Sequence, residues 1–145
     1  MARACTLLLF YTVLVYLAIE DFQKRKISDW CHAVILSLAL IALAVIPEIS
    51  FQARILGMFA VSLPMTLITL CFPGSFGGGD VKLAFSSGAF LGWELVLGGT
   101  AIAICLAGLY SLWVVFIRKE KKSVQFALGP YLSMAYIIAT FALFQ

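Results

Sequence analysis

Two of the seven acidic residues stand where an acid is not the ordinary choice. Asp80 follows Gly77-Gly78-Gly79 and opens an apolar run, and Asp21 closes the first apolar run of the chain. A carboxylate at a helix C-terminus opposes the helix dipole, so a purely structural choice for position 21 would be a cation. Two carboxyl groups and one water can hydrolyse a peptide bond without a metal or a covalent nucleophile. One carboxylate takes a proton from the water, and the other, protonated, donates to the carbonyl oxygen. Like charges held close together cannot both ionise, so the two share a proton and titrate as a pair. Each acid also has a plainer reading. Asp80 would cap its own helix on a Gly-rich turn, and Asp21 would pair with Lys24 or Arg25, three and four residues on. Glu20 competes with Asp21 from one residue away, about 100° round the helix.

The glycines before Asp80 give the first of these readings its substance. Consecutive glycines permit positive φ and present no side chains to an approaching chain. Gly77, Gly78 and Gly79 thus form a surface on which an extended backbone could lie beside Asp80. The remaining ionisable groups offer less. Glu48 and Glu94 fall in short outer loops, Glu120 sits among basic residues, and Asp29 is placed to cap the second helix. His32, the only histidine, reads as an interfacial polar residue, and no serine has a histidine partner in a recognisable pattern. Cys5, Cys31, Cys71 and Cys105 form no C-x-x-C pair. They read as small buried hydrophobes, so neither a metal nor a cofactor is expected.

The elements that must position these groups are set by composition. The 145 residues are 63% hydrophobic, against about 45–50% for ordinary soluble domains. So much apolar surface cannot be hidden within one domain of this size, but a lipid bilayer accepts it. The chain reads as a single all-α membrane domain over residues 1–145, with nucleic-acid binding excluded by the modest net charge of +3. Apolar runs cover Ala4–Ile19, Trp30–Ile46, Ile55–Phe72, Leu83–Ile117 and Leu128–Phe144. The fourth is too long for one span of about 20 residues, and Trp93-Glu94 divides it into a short helix and a full one. Six helices result. The first run is followed by no small-residue cleavage site and is read as a retained span, not a removed signal.

Basic residues orient the helices. With both termini outside, the cytoplasmic side holds Lys24, Arg25, Lys26, Lys82, Arg118, Lys119, Lys121 and Lys122, leaving only Arg3 and Arg54 outside. Asp21, Asp80 and the segment Phe126–Pro130 then share the cytoplasmic face.

With these residues in place the chain resembles the type IV prepilin peptidases, bacterial inner-membrane aspartic peptidases. The first motif of that family is an Asp, five residues, then Ile-Pro-Asn. Here Asp21 is followed at that spacing by Ile27-Ser28-Asp29, with Ser28 in place of Pro and Asp29 in place of Asn. The second motif, G-x-G-D followed by a Lys, is matched by Gly77-Gly78-Gly79-Asp80-Val81-Lys82. A softer Pro-aromatic-Gly-Pro motif survives as Ala127-Leu128-Gly129-Pro130, which keeps only Gly-Pro. The departures bear on loop geometry and leave the acid pair intact. The resemblance implies that Asp21 and Asp80 are the catalytic pair and Glu20 is not. It implies that Gly77, Gly78, Gly79, Lys82, Gly129 and Pro130 meet the substrate. That substrate would be a type IV pilin-like precursor whose short basic leader is removed at the cytoplasmic face. Larger members carry a methylating domain with paired cysteines. This chain looks like the short, peptidase-only branch, similar to the enzymes of tight-adherence (Flp-type) pilus systems. Homo-oligomerisation is left open.

Two other readings compete. Presenilin-like and signal-peptide-peptidase-like proteases share G-x-G-D, but their first acid sits in a Tyr-Asp pair, where this chain has Glu20-Asp21. A small transporter or channel subunit could place Asp21 and Asp80 on an ion path, although both acids lie near one face and not at the midplane.

Overall fold

A computed structural model describes residues 1–24, 27–118 and 128–141. These are helical throughout apart from short connections: α1 (Ala2–Lys24), α2 (Asp29–Val45), α3 (Phe51–Ala60), α4 (Ser62–Cys71), α5 (Gly78–Arg118) and α6 (Gly129–Phe141). No strand occurs among the described residues. Three stretches are long and apolar enough to cross a membrane: Ala2–Lys24, Phe51–Cys71 and Gly78–Trp113. At 1.5 Å per residue, the 23 residues of α1 extend about 34 Å, enough for a hydrocarbon core of about 30 Å. Arg25, Lys26, Lys119, Glu120, Lys121, Lys122, Phe126 and Ala127, on which part of the orientation argument rests, lie outside the described residues.

Local sequence accounts for the helix ends. Ser50 caps α3, its Oγ accepting from the Ala53 N–H at 3.2 Å. α2 stops at Val45–Ile46 because Pro47 disfavours helical backbone in the residue before it, and α4 stops before Pro73 in the same way. α6 opens with Gly129-Pro130, Pro fitting a first turn where no N–H is needed. The expected division of the fourth run occurs at Gly92, whose φ of 78° breaks α5 into two helices one residue before Trp93-Glu94. The third run departs from the single helix expected of it. Its helix breaks at Val61, three residues before Pro64, which cannot donate to the Ala60 carbonyl and crowds it.

α5 is the central element. It packs against α2, α3, α4 and α6, while α1 packs on α2 and α6. The α3–α5 approach depends on two glycines: a Cβ on Gly57 would lie 2.5 Å from the Gly88 carbonyl oxygen. Such close backbone contact is the usual route to helix association where lipid offers no hydrophobic drive. Phe10 of α1 stacks on Phe90 of α5 with ring centroids 4.1 Å apart, both fully buried. Outward positions such as Leu8, Leu9, Val15, Ile41, Leu67, Leu70 and Leu109 are apolar and exposed, as a lipid-facing surface requires.

Arg54 departs from its expected place in an outer loop. It is buried, and its guanidinium donates to five carbonyls: Ile49, Ala42 and Ile46 around the end of α2, and Ala89 and Phe90 just before the break in α5. The cation thus joins two helix C-termini, where the carbonyls of the last turn lack partners and the dipole favours positive charge.

Candidate active site

The buried stripe of α1 runs Leu7, Phe10, Leu14, Leu17, Asp21, at alternating spacings of three and four. Asp21 therefore continues the apolar face into the bundle and is only 6% exposed. Its carboxylate meets the start of α6. A Cβ on Gly129 would fall 2.5 Å from Asp21 Oδ2, so a side chain there would have to displace the carboxylate. The Gly129 N–H faces the carboxylate, but Oδ2 itself is buried with no hydrogen-bond partner among the described residues. The unfavourable end of α1's own dipole is thus offset by the favourable end of α6.

Asp80 occupies the third position of α5 and is 7% exposed. It closes the first turn on Gly77: the Asp80 N–H donates to the Gly77 carbonyl at 3.0 Å, and the Gly77 N–H faces the carboxylate. Capping and chemistry are compatible here, because one oxygen can hold the turn while the other faces the bundle. The charge of Asp21 acts on Asp80, so Asp80 lies within electrostatic reach of Asp21 although they are 59 positions apart. Below them Tyr136, fully buried on α6, feels Asp80 and hydrogen-bonds the Thr100 hydroxyl at 3.0 Å.

Glu20 does different work. It accepts from Ser28 Oγ at 2.8 Å, from the Ser28 N–H at 3.3 Å and from Lys24 Nζ at 3.4 Å. Lys24 therefore pairs with Glu20 and not with Asp21, and Arg25 lies outside the described residues. Asp29 does not cap α2. Ser28 holds the N-cap position without a side-chain bond, and Asp29 Oδ1 instead meets Lys82 Nζ at 2.6 Å. That ion pair joins the first motif to the second.

The glycine segment needs a different rationale from the one its sequence suggests. The positive-φ glycines are Gly74 and Gly92, and none of Gly77, Gly78 and Gly79 is in that region. Gly79 is packed tightly, since a Cβ there would come to 3.1 Å from Ile27 Cβ and Cδ1 and Ile27 would have to give way. Gly78 is exposed, and a Cβ there would meet nothing within 4 Å among the described residues, so of the three it is the one that leaves an open surface. Pro130 lines a groove of about 320 Å³ between α1 and α6.

A cavity of about 630 Å³ lies between α2, α3, α4 and α5, beside the acid pair and not around it. Val81 and Lys82, the two residues after Asp80, line it together with Asp29, His32, Phe59, and Phe85. His32, expected at an interface, is 6% exposed and lies 3.5 Å from Ser86 Oγ through Nδ1. Among the cysteines only Cys31 is buried; Cys5, Cys71 and Cys105 are exposed, and all four are free. No cluster of metal-binding side chains occurs among the described residues. Tyr136 and the Glu20–Ser28 contact were not singled out by sequence reasoning. The spacing Gly129, Leu132, Ser133, Tyr136, Thr140 on one face of α6 is the signal that would have pointed to Tyr136.

The model of the type IV leader peptidase family matches residues 8–112, a span that includes both acids. A prepilin leader peptidase/N-methyltransferase of Bacillus subtilis (strain 168) is 25% identical over 130 residues, which cover 90% of this chain and 52% of that protein. The chain thus spans about half the length of the curated relative it matches. No solved structure matches the chain.

Proposed function

The chain belongs to the type IV leader peptidase family, and from that premise we propose that it is an aspartic endopeptidase in which Asp21 and Asp80 share a proton and activate a water. One carboxylate deprotonates the water, and the protonated partner donates to the carbonyl oxygen of the scissile bond. The observation that carries this reading is the arrangement of the acids. Two carboxyls from different helices are more than nine-tenths buried, Asp80 feels the charge of Asp21, and one oxygen of Asp21 has no hydrogen-bond partner among the described residues. The helix ends at Gly129 and Gly77 offset part of the burial, but two carboxylates held this way would cost stability if both were ionised.

The substrate on this reading is a type IV pilin-like precursor, of the Flp kind, cut at the cytoplasmic face of the bacterial inner membrane just before its apolar helix. The exposed backbone at Gly78 gives the unwound junction room to lie beside Asp80. Lys82, which lines the cavity beside Asp80, and Gly129 and Pro130, at the start of α6 against Asp21, would meet the same substrate from either side of the acids. The eight-to-two distribution of basic residues supports placing both termini outside.

The test is cleavage of pilin-like precursors by purified protein in detergent, read from the N-terminal mass of the product. Asp21→Asn and Asp80→Asn are each expected to abolish cleavage while expression and membrane insertion persist. Retention of activity by either variant would sink the two-acid mechanism. Labelling an Asp80→Cys chain from each side of the membrane tests the orientation, and reaction only from outside would contradict it.

A further inference from the structure

We propose that Glu20 is a positioning residue whose clasp on Ser28 sets the separation between the turn bearing Asp21 and the turn bearing Asp80. This rests on the peptidase reading for its meaning, but the clasp itself is a matter of geometry. Glu20 is 8% exposed although it stands at the end of a helix, and it takes both the side-chain and the backbone donor of Ser28. These bonds tie the last turn of α1 to the N-cap of α2 across eight residues. Each neighbour of Ser28 then touches a residue within two positions of Asp80. Ile27 packs on Gly79, and Asp29 pairs with Lys82. A continuous set of contacts therefore runs from the turn holding Asp21, through Glu20–Ser28, to both sides of Asp80.

The backbone of Ser28 explains why a clasp is needed. Its φ of −68° and ψ of 128° fall where a proline would sit without strain. A proline holds that φ through its ring, whereas a serine is free to leave it, and here the two bonds from Glu20 hold it in place. If Glu20 acts by fixing this backbone, a proline at position 28 should make Glu20 dispensable. If Glu20 only solvates the end of α1, it should not.

The experiment uses disulfide formation between Ile27→Cys and Gly79→Cys, in a chain whose four native cysteines are replaced by alanine, in membranes with a mild oxidant. A Cβ on Gly79 would lie 3.1 Å from Ile27 Cβ, near the separation of about 3.5–4.5 Å in a disulfide. Glu20→Ala is expected to slow cross-linking about tenfold, as suits the loss of charge-assisted hydrogen bonds. Glu20→Gln keeps an acceptor oxygen and should stay within about threefold of the parent. Glu20→Ala with Ser28→Pro should recover the parent rate. Should Glu20→Ala fail to fold, Ser28→Ala removes only the 2.8 Å bond and should slow the reaction by a smaller factor. An unchanged rate in Glu20→Ala, or in Ser28→Ala if that variant is used, overturns the proposal, and so does failure of Ser28→Pro to restore it. Because cross-linking needs no substrate, its result is independent of cleavage. In chains with Ile27 and Gly79 intact, cleavage of a pilin-like precursor should fall and recover in the same order. If the cross-linking order holds while the parent cleaves no such precursor, the clasp stands and the peptidase reading fails.

Discussion

Asp21 and Gly129 approach so closely that any side chain at position 129 would displace the carboxylate: a Cβ there would lie 2.5 Å from Oδ2 and 3.0 Å from Cγ. The glycine is thus the reason that the end of α1 can meet the start of α6. Gly129→Ala is expected to push Asp21 out of register with Asp80 and lower cleavage by about 10²-fold, the scale of a misplacement of about 1 Å in a reacting group. Melting in detergent should change far less than the rate. Equal cleavage by Gly129→Ala and the parent would mean that Asp21 need not sit where the structure places it.

The glycines before Asp80 should separate by function when substituted singly. Gly79→Val must displace Ile27, and its loss of activity should be relieved in part by Ile27→Ala, which removes the atoms in the way. Gly78→Ala meets nothing within 4 Å and should leave melting unchanged. A loss of cleavage at Gly78→Ala without a loss of stability would then report an approaching substrate backbone. Gly74→Ala is the variant expected to cost stability, about 1 kcal/mol, because its φ is +91°. Cleavage rate and melting temperature measured side by side for the three variants decide between packing and access.

Shared protonation of the acid pair makes a prediction for pH. Cleavage should follow a bell-shaped curve, falling at low pH as both carboxyls become protonated and at high pH as both become ionised. The two limbs belong to the pair and not to either residue. A rate that rises to a plateau across the range in which the protein stays folded would show that a single base suffices.

Much of this arrangement could be read from the residues. The alternation Leu7, Phe10, Leu14, Leu17, Asp21 is helical periodicity ending in an acid, while Glu20, three residues after Leu17 and also buried, was set apart only by the family motif. The break in α5 was legible because a 35-residue apolar run cannot be one span, and Gly92 supplies it one residue before Trp93. What escaped was pairing across the fold. Lys82 lies 53 positions from Asp29, and no local pattern reveals that they meet. Val61 was missed because the break produced by Pro64 lies inside an uninterrupted apolar run. Arg54 was misplaced because a charge near a predicted loop is normally solvated. Only the two helix ends that converge on it explain a buried cation with five carbonyl acceptors.

Arg54 supports the last prediction. Its guanidinium holds the end of α2 and the first half of α5 together at the opposite end of that half-helix from Asp80. Removing it leaves the carbonyls of Ala89 and Phe90 facing the Gly92 break without the donor they share, and those of Ala42 and Ile46 lose theirs as well. The Ala42 carbonyl still accepts the Ile46 N–H at 2.9 Å, so the loss there is partial. Each unpaired buried carbonyl costs about 1–3 kcal/mol. Arg54→Met, which keeps the apolar stem, should therefore destabilise the fold by at least about 3 kcal/mol. Arg54→Lys keeps the charge but presents one ammonium in place of a planar fork, and cannot reach acceptors on both sides at once. It should fall between Met and the parent. Unfolding in detergent for the three chains checks the order. If Arg54→Met melts with the parent, the two helix ends are held by packing such as Gly57 against Gly88, and the guanidinium merely fills the space between them.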